Sequence, residues 1–193
     1  GEAATKGPGA EMERPDGLLL LDKPAGITSH DCVASVRKVC PRKTKVGHSG
    51  TLDPFSTGLL IVLVGRGTRL APLLQGMDKE YEGVLRFGEG TDTYDRDGRL
   101  TASGEVPGLD APGWQAAANR FVGPLQQVPP DYSAKRVGGQ RAYDLARKGL
   151  SVSLAPRPVE VYLFEVTPAP PRDLRFRLGC SSGTYVRALA RDL

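Results

Sequence analysis

The chain has 193 residues, 39% of them hydrophobic and 25% charged, with a formal net charge of +4. That is one large domain or two small ones, of ordinary globular composition, and its longest apolar run, "LLIVLV", is far too short to cross a bilayer. The three cysteines, Cys32, Cys40 and Cys180, lack CxxC spacing, which argues against a disulfide framework or a zinc site and for buried thiols in a reducing compartment.

The first sixteen residues are polar, carry no secretory signal pattern and read as a disordered leader. "GLLLLDKPAG" is a strand running into a turn. In "TSHDCVASVRKVC", Thr28 and Asp31 form a capping-box pattern, and Cys32, Val33, Val36, Val39 and Cys40 recur at helical spacing. A helix is expected over 29–40, ended by Pro41. Residues 41–57 read as a loop, 59–64 as a buried strand, and "GTRLAPLLQG" as a short helix closed by Gly76. A strand over 79–88, a polar turn "TDTYDRDGRL" and a helix over 112–123 follow, the helix with Trp114, Ala118 and Phe121 on one side. "RPVEVYLFEVTP" and "DLRFRLGC" alternate as strands, and "SSGTYVRALARDL" turns into a last helix with no C-terminal cap, so further chain is expected beyond it. Strands and helices without regular βαβ alternation indicate an α+β fold with a mixed or mainly antiparallel sheet flanked by helices.

Several motifs fail on chemistry. "GRGTRL" after the apolar strand suggests a dinucleotide turn, but Leu70 stands where close helix–strand packing needs Gly or Ala. "DRDG" lacks the acidic first and twelfth ligands of a calcium loop, which would be Thr93 and Gly104. His30 and His48 have no partners at metal-ligand spacing, and Ser49 beside His48 lies in no nucleophile elbow. What remains is "VGHSGTLDPFSTG", with a single carboxylate at Asp53; "PPDYSAKRVGGQRAYDLARKG", where cations interleave with Tyr132 and Tyr143 as suits RNA; and "CSSGTYVR".

Five segments in order, "LLLLDKPAGITSHDCVASVR", "KVGHSGTLDPFSTGLLIVLVGRGTRL", "DKEYEGVLRFGEGTDTYDRDG", "QQVPPDYSAKRVGGQRAYDLARKG" and "CSSGTYVRALARDL", resemble the TruB family of tRNA pseudouridine synthases, its bacterial branch above all. The resemblance runs from Gly17 to the end. It implies the pseudouridine synthase fold with an active-site cleft across the sheet. The implied activity isomerises the T-loop uridine of tRNA, position 55, without metal or cofactor, in a cytoplasmic and monomeric enzyme. It makes Asp53 the catalytic nucleophile. It assigns substrate contacts to Tyr81 (stacking on the base), His48 (holding the extruded base or its neighbour), Arg187 (pairing the catalytic aspartate) and Tyr185 (a pocket wall). Asp95, Arg69 and Lys23 are further expected substrate-binding positions. The stretch 127–157 is expected to grip the T-loop, and a C-terminal RNA-binding domain is expected downstream. Ser49 stands where the family more often has Thr.

The chemistry suits one carboxylate. Detaching a base leaves an electron-poor C1′ that Asp53 can attack, or stabilise while a neighbouring proton is removed. The leaving uracil itself returns as the attacking group, so no second acid is needed, unlike a hydrolytic glycosidase. If Tyr185 and Arg187 both serve the pocket, the last helix must start near Arg187 and must not yet be formed at Thr184. Three alternatives stay open: an RNA-binding or folding-chaperone module, a synthase acting on another RNA, and a dinucleotide oxidoreductase.

Overall fold

The computed structural model describes residues 15–130, 136–137, 140–141 and 154–193, and the chain divides into two compact units, Gly1–Gly76 and Met77–Leu193.

In the first unit, β1 (Gly17–Lys23) and β2 (Val46–His48) lie antiparallel on either side of β3 (Gly58–Val64). The apolar run therefore forms the central strand, where both faces are available for burial. Leu60 and Val62 point to α1 (Ser29–Val39) and form a core with Cys32 and Val33, joined by Leu21, Val36 and Val46. The capping box closes as expected, with Thr28 accepting from the Asp31 N–H and Asp31 from the Thr28 N–H. The helix's apolar stripe ends sooner than its periodicity suggests. Val39 is 84% exposed, because the cluster it would join stops at Val36.

"GRG" receives a packing explanation. β3 leads into a 3-10 helix (Gly65–Leu70) and then α2 (Ala71–Gln75) within an antiparallel sheet, not into a βαβ crossover. Gly65 has a φ of +57°, and a Cβ there would strike Asp16 and the Pro15 carbonyl. At Gly67 a Cβ would collide with the carbonyl of Gly17, the first residue of β1. Both glycines permit a close backbone approach. Asp16 completes the junction by accepting from the Arg66 backbone N–H at 2.6 Å.

In the second unit, four strands pair antiparallel in the order β4 (Lys79–Arg86), β11 (Asp173–Cys180), β10 (Arg157–Ala169), β7 (Gly123–Gln127). Leu85, Leu174, Leu178 and Cys180 line the buried face. On β10 the buried residues change phase, from Val159 and Val161 to Phe164 and Val166. A register shift between Val161 and Leu163 accounts for this, since one extra residue turns every later side chain to the other face. α3 (Ala111–Asn119) sets Trp114 and Ala118 against this face. Its Gln115 donates to the Phe164 carbonyl at 2.9 Å and accepts from the Val166 N–H at 3.0 Å, satisfying β10 beyond the end of its β7 pairing. α3 ends earlier than expected, at Asn119, and Gly123 at φ +106° starts β7.

The polar turn expected at 91–100 is flanked by a short hairpin, β5 (Glu89–Thr91) and β6 (Leu100–Ser103). Two-residue strands β8 (Arg136–Val137) and β9 (Gln140–Arg141) also pair. The chain ends in α4 (Val186–Asp192). The α+β expectation holds, with every described pairing antiparallel. The leader up to residue 14 and most of the 127–157 stretch, Tyr132 and Tyr143 included, lie outside the described residues. Among those described, no helix is long and apolar enough to cross a membrane, no group of side chains could hold a metal ion, and the cysteines are free.

Replacing Gly67 by Ala should lower stability by about 1–3 kcal/mol, the usual cost of forcing extra volume into a packed junction. A urea midpoint equal to that of the parent chain would show that the 3-10 helix does not seat on β1.

Candidate active site

Asp53 lies between β2 and β3, in a loop whose backbone is held on both sides of it. On the N-terminal side, the Leu52 N–H donates to Ser29 Oγ at 3.0 Å, and Ser29 Oγ lies 3.3 Å from the Leu52 carbonyl. On the C-terminal side, the Pro54 carbonyl accepts from the Gly26 N–H at 2.8 Å and from Lys23 Nζ at 3.2 Å. The same ammonium donates to the Pro24 carbonyl at 2.9 Å and the Ile27 carbonyl at 2.8 Å. Lys23 has no exposed surface and Ser29 is 2% exposed. Three backbone carbonyls match the three donors of an ammonium, which is the arrangement a buried lysine requires. The Ser56 N–H closes a turn onto the Asp53 carbonyl at 3.0 Å. Asp53 itself is half-buried.

His48 ends β2 opposite Val62, at the entrance to this loop. Its Nδ1 is buried without a hydrogen-bond partner. Ser49 follows, buried, with its N–H on the Ile61 carbonyl. Arg69 stands apart from this arrangement on the 3-10 helix. It is exposed, and its charge helps hold the Asp16 carboxyl below the usual range, after the hydrogen bonds from Arg66 that cause most of that shift.

The second unit gathers Asp95, Tyr185 and Arg187. The turn after β5 is knotted by its own side chains: Thr91 Oγ1 accepts from the Asp95 N–H at 3.1 Å, and Asp95 Oδ1 accepts from Thr93 Oγ1 at 2.6 Å and the Asp97 N–H at 3.1 Å. Arg187, in the first turn of α4, donates to the Thr93 carbonyl at 2.8 Å and lies 3.5 Å from Asp95 Oδ2. Both side chains of that pair are nearly buried, at 12% and 10% exposure, so water screens the attraction little. Tyr94, between them at φ +58°, carries the Arg191 guanidinium 5.3 Å from its ring centroid.

Tyr185 is the N-cap of α4 and is extended (φ −99°, ψ 108°), so the helix has not formed at Thr184. The helix starts at Val186, one residue before the expected start, so Arg187 is already helical. Gln127, 2% exposed at the end of β7, grips Tyr185 twice: it accepts from the Tyr185 N–H at 2.7 Å and donates to its carbonyl at 3.1 Å. Tyr81 sits on β4 opposite Leu178, half-buried against the core that holds Leu85 and Trp114.

Ser29 and Gln127 are the positions that the sequence reading missed. Both had a signal. Gln127 falls on the inward phase of β7 with Gly123 and Leu125, where a polar residue needs a buried partner. Ser29 follows a Thr that already supplies the helix cap, which leaves its hydroxyl for another task.

The family model for the N-terminal domain of TruB family pseudouridylate synthase matches residues 37–186, a span that includes His48, Asp53, Arg69, Tyr81, Asp95 and Tyr185. A tRNA pseudouridine synthase B from Gloeobacter violaceus is 46% identical over 182 residues, covering 92% of this chain and 62% of the relative. One from Opitutus terrae is 45% identical over 178 residues, covering 92% of this chain and 73% of the relative. The chain thus spans about three-fifths of the length of the first of these. Among solved structures, a chain of a Cbf5-Nop10-Gar1 complex superposes with a TM-score of 0.63 at 31% identity, over 91% of this chain and 43% of that one. A chain from an H/ACA RNP bound to a substrate RNA containing 2'-deoxyuridine superposes with a TM-score of 0.61 at 30% identity, over 91% of this chain and 41% of that one. With its antiparallel α+β fold and the family model spanning both the Asp53 loop and the Asp95 turn, the chain belongs to the TruB family of pseudouridylate synthases.

Proposed function

We propose that this chain carries the catalytic apparatus of a tRNA pseudouridine synthase that isomerises the T-loop uridine, position 55, with Asp53 as nucleophile. The observation that carries the reading is the clamp on both neighbours of Asp53, Ser29 on Leu52 and Lys23 with Gly26 on Pro54. A carboxylate that must meet C1′ of an extruded nucleotide gains from a backbone that cannot drift, because small misplacements of a reacting group cost large factors in rate. The names of the relatives agree with tRNA as the substrate class.

The steps follow from the atoms. The uridine is unstacked, at a cost of a few kcal/mol offset by contacts to an aromatic face and to phosphates. Tyr81 supplies the face and Tyr185 a wall. Asp53 either attacks C1′ or stabilises it while a neighbouring proton leaves. The glycosidic N–C bond breaks and the uracil turns; a C–C bond forms from its C5 to C1′ as the Asp53–C1′ bond breaks or the removed sugar proton returns, and the C5 proton is then lost while N1 takes one up. No atom or electron is gained or lost overall. Arg187 serves the catalytic aspartate, its own position set by Asp95 and the Thr93 carbonyl. His48 helps hold the loop open. The described surroundings of Lys23 make it a support for the Asp53 loop, and Arg69 is left for the RNA backbone. The stretch 127–157 grips the T-loop, and the enzyme works as a cytoplasmic monomer.

Asp53→Asn should form no detectable pseudouridine in a T-stem-loop RNA, a loss of at least about 1,000-fold in kcat, while its Kd for the RNA stays within about twofold of the parent. A chemical probe for pseudouridine together with anisotropy checks both. Product from the variant would remove Asp53 from the nucleophile's role, and a parent chain that binds without product would make this a binding module. Lys23→Met removes the ammonium that three backbone carbonyls share and should cost about 1–3 kcal/mol of stability by urea titration. The salt dependence of its RNA binding, measured where it is still folded, should match the parent. A shallower slope would return Lys23 to the RNA-contacting residues.

A further inference from the structure

Charge is unevenly divided between the two units. Residues 15–76 hold eight Lys and Arg against four Asp and no Glu, and between Asp31 and Asp53 there is no carboxylate at all. Within that acid-free span, Arg37, Lys38, Arg42, Lys43 and Lys45 fall in nine residues and all are exposed. Arg37 and Lys38 have a local reason to be there. They stand in the last turn of α1, where the helix dipole favours cations, and Arg37 donates to the Val46 carbonyl. Arg42, Lys43 and Lys45 have no such reason.

The backbone makes the point sharper. The Thr44 N–H bonds to the Pro41 carbonyl at 3.1 Å, closing a β-turn, and Thr44 Oγ1 bonds to the same carbonyl at 2.7 Å. The third residue of that turn is Lys43, with φ +69°. This is the position of a type II turn that Gly or Asn fills, because a Cβ is strained there. The chain keeps a lysine where glycine would fold more easily. The turn is also pinned: the Lys45 carbonyl accepts from the Gly65 N–H at 2.8 Å, and Val46 opens β2 opposite Val64. β2 is three residues long and ends at His48, so the turn is held to the strand that enters the Asp53 loop.

We propose that the Pro41–Lys45 turn, with Arg42, Lys43 and Lys45 at its tip, is a preorganised contact for the phosphodiester backbone of the RNA, a task that accounts for a strained lysine. The inference rests on the proposed RNA substrate. It differs from the pocket contacts in reading charge and not sequence. Ordering the turn before binding means that no loop entropy is lost when phosphate arrives, and each neutralised phosphate releases counterions.

The test uses the 193-residue chain, a fluorescent T-stem-loop RNA and anisotropy from about 50 to 300 mM KCl. Lys43→Gly should weaken binding about two- to fivefold near 0.1 M salt and reduce the slope of log K against log salt by about 0.7–0.9. Its urea midpoint should be unchanged or higher, because glycine relieves the turn. Arg42→Gln, Lys43→Gly and Lys45→Gln together should reduce the slope by about 2. Weaker binding with a raised or equal midpoint supports the proposal, since a purely structural lysine would move the two together. An unchanged slope in the triple variant overturns it and leaves an acidic protein face as the turn's partner. A lowered midpoint in Lys43→Gly that accounts for the lost affinity overturns it as well. The synthase reading is scored separately by product: a parent chain that binds RNA with these slopes but makes no pseudouridine fails that reading alone, and an active triple variant with the parent's slope fails this one alone.

Discussion

The Lys23 ammonium, at the end of β1 and closed off from solvent, donates to the carbonyls of Pro24, Ile27 and Pro54. Two of those carbonyls belong to the connection between β1 and α1, and the third belongs to the residue after Asp53. A buried charge is costly unless each of its donors is met, so the β1–α1 connection and the Asp53 loop must converge on the ammonium or the lysine cannot remain inside. This obligation is what gives the Asp53 loop a shape. Glycine and hydroxyl residues dominate that loop and would not order it alone. Ser29 completes the restraint from the helix, with one hydroxyl serving both backbone groups of Leu52.

The second unit solves a similar problem with other chemistry. Its four-stranded sheet and α3 form a packed core, and the candidate residues are carried at the sheet's margins, by the turn after β5 and by the start of α4. Loops on rigid scaffolds are a common place for binding groups, but they need local restraints. Here a buried amide, Gln127, fixes the backbone of Tyr185, and the nearly buried Arg187–Asp95 pair ties α4 to the turn. Arg191, four residues after Arg187 and so on the same helix face, adds a contact over Tyr94. In each unit, a polar side chain with little exposed surface holds the backbone of a residue at or beside the one proposed for chemistry.

Much of this is legible in the sequence. Period-two alternation located β4, β10 and β11, and the capping box located the start of α1. The misses have physical causes. By sequence β2 reads as loop because three residues, one of them glycine, show no period, and its strand character comes from pairing with β3. Val39 kept the helical spacing but found no neighbour to bury it. The change of face along β10 depends on a bulge that alternation alone does not announce. The resemblance places Lys23 among the substrate-binding residues, and "DKPAG" by itself does not say that its ammonium turns inward onto backbone carbonyls.

Composition and periodicity were sufficient by themselves to set the class of fold, and the ordered motifs carried the resemblance that implied the family and singled out the lone carboxylate around which the chemistry is proposed. These are local properties, carried by neighbours along the chain and by a few residues with no substitute. Tertiary structure alone decided which polar groups are buried and what they hold: Lys23 and Ser29 on the Asp53 loop, Gln127 on Tyr185, Asp95 on Arg187. Such pairings join residues from 23 to 92 positions apart. They exist only once strands and helices have brought the backbone groups within hydrogen-bond reach.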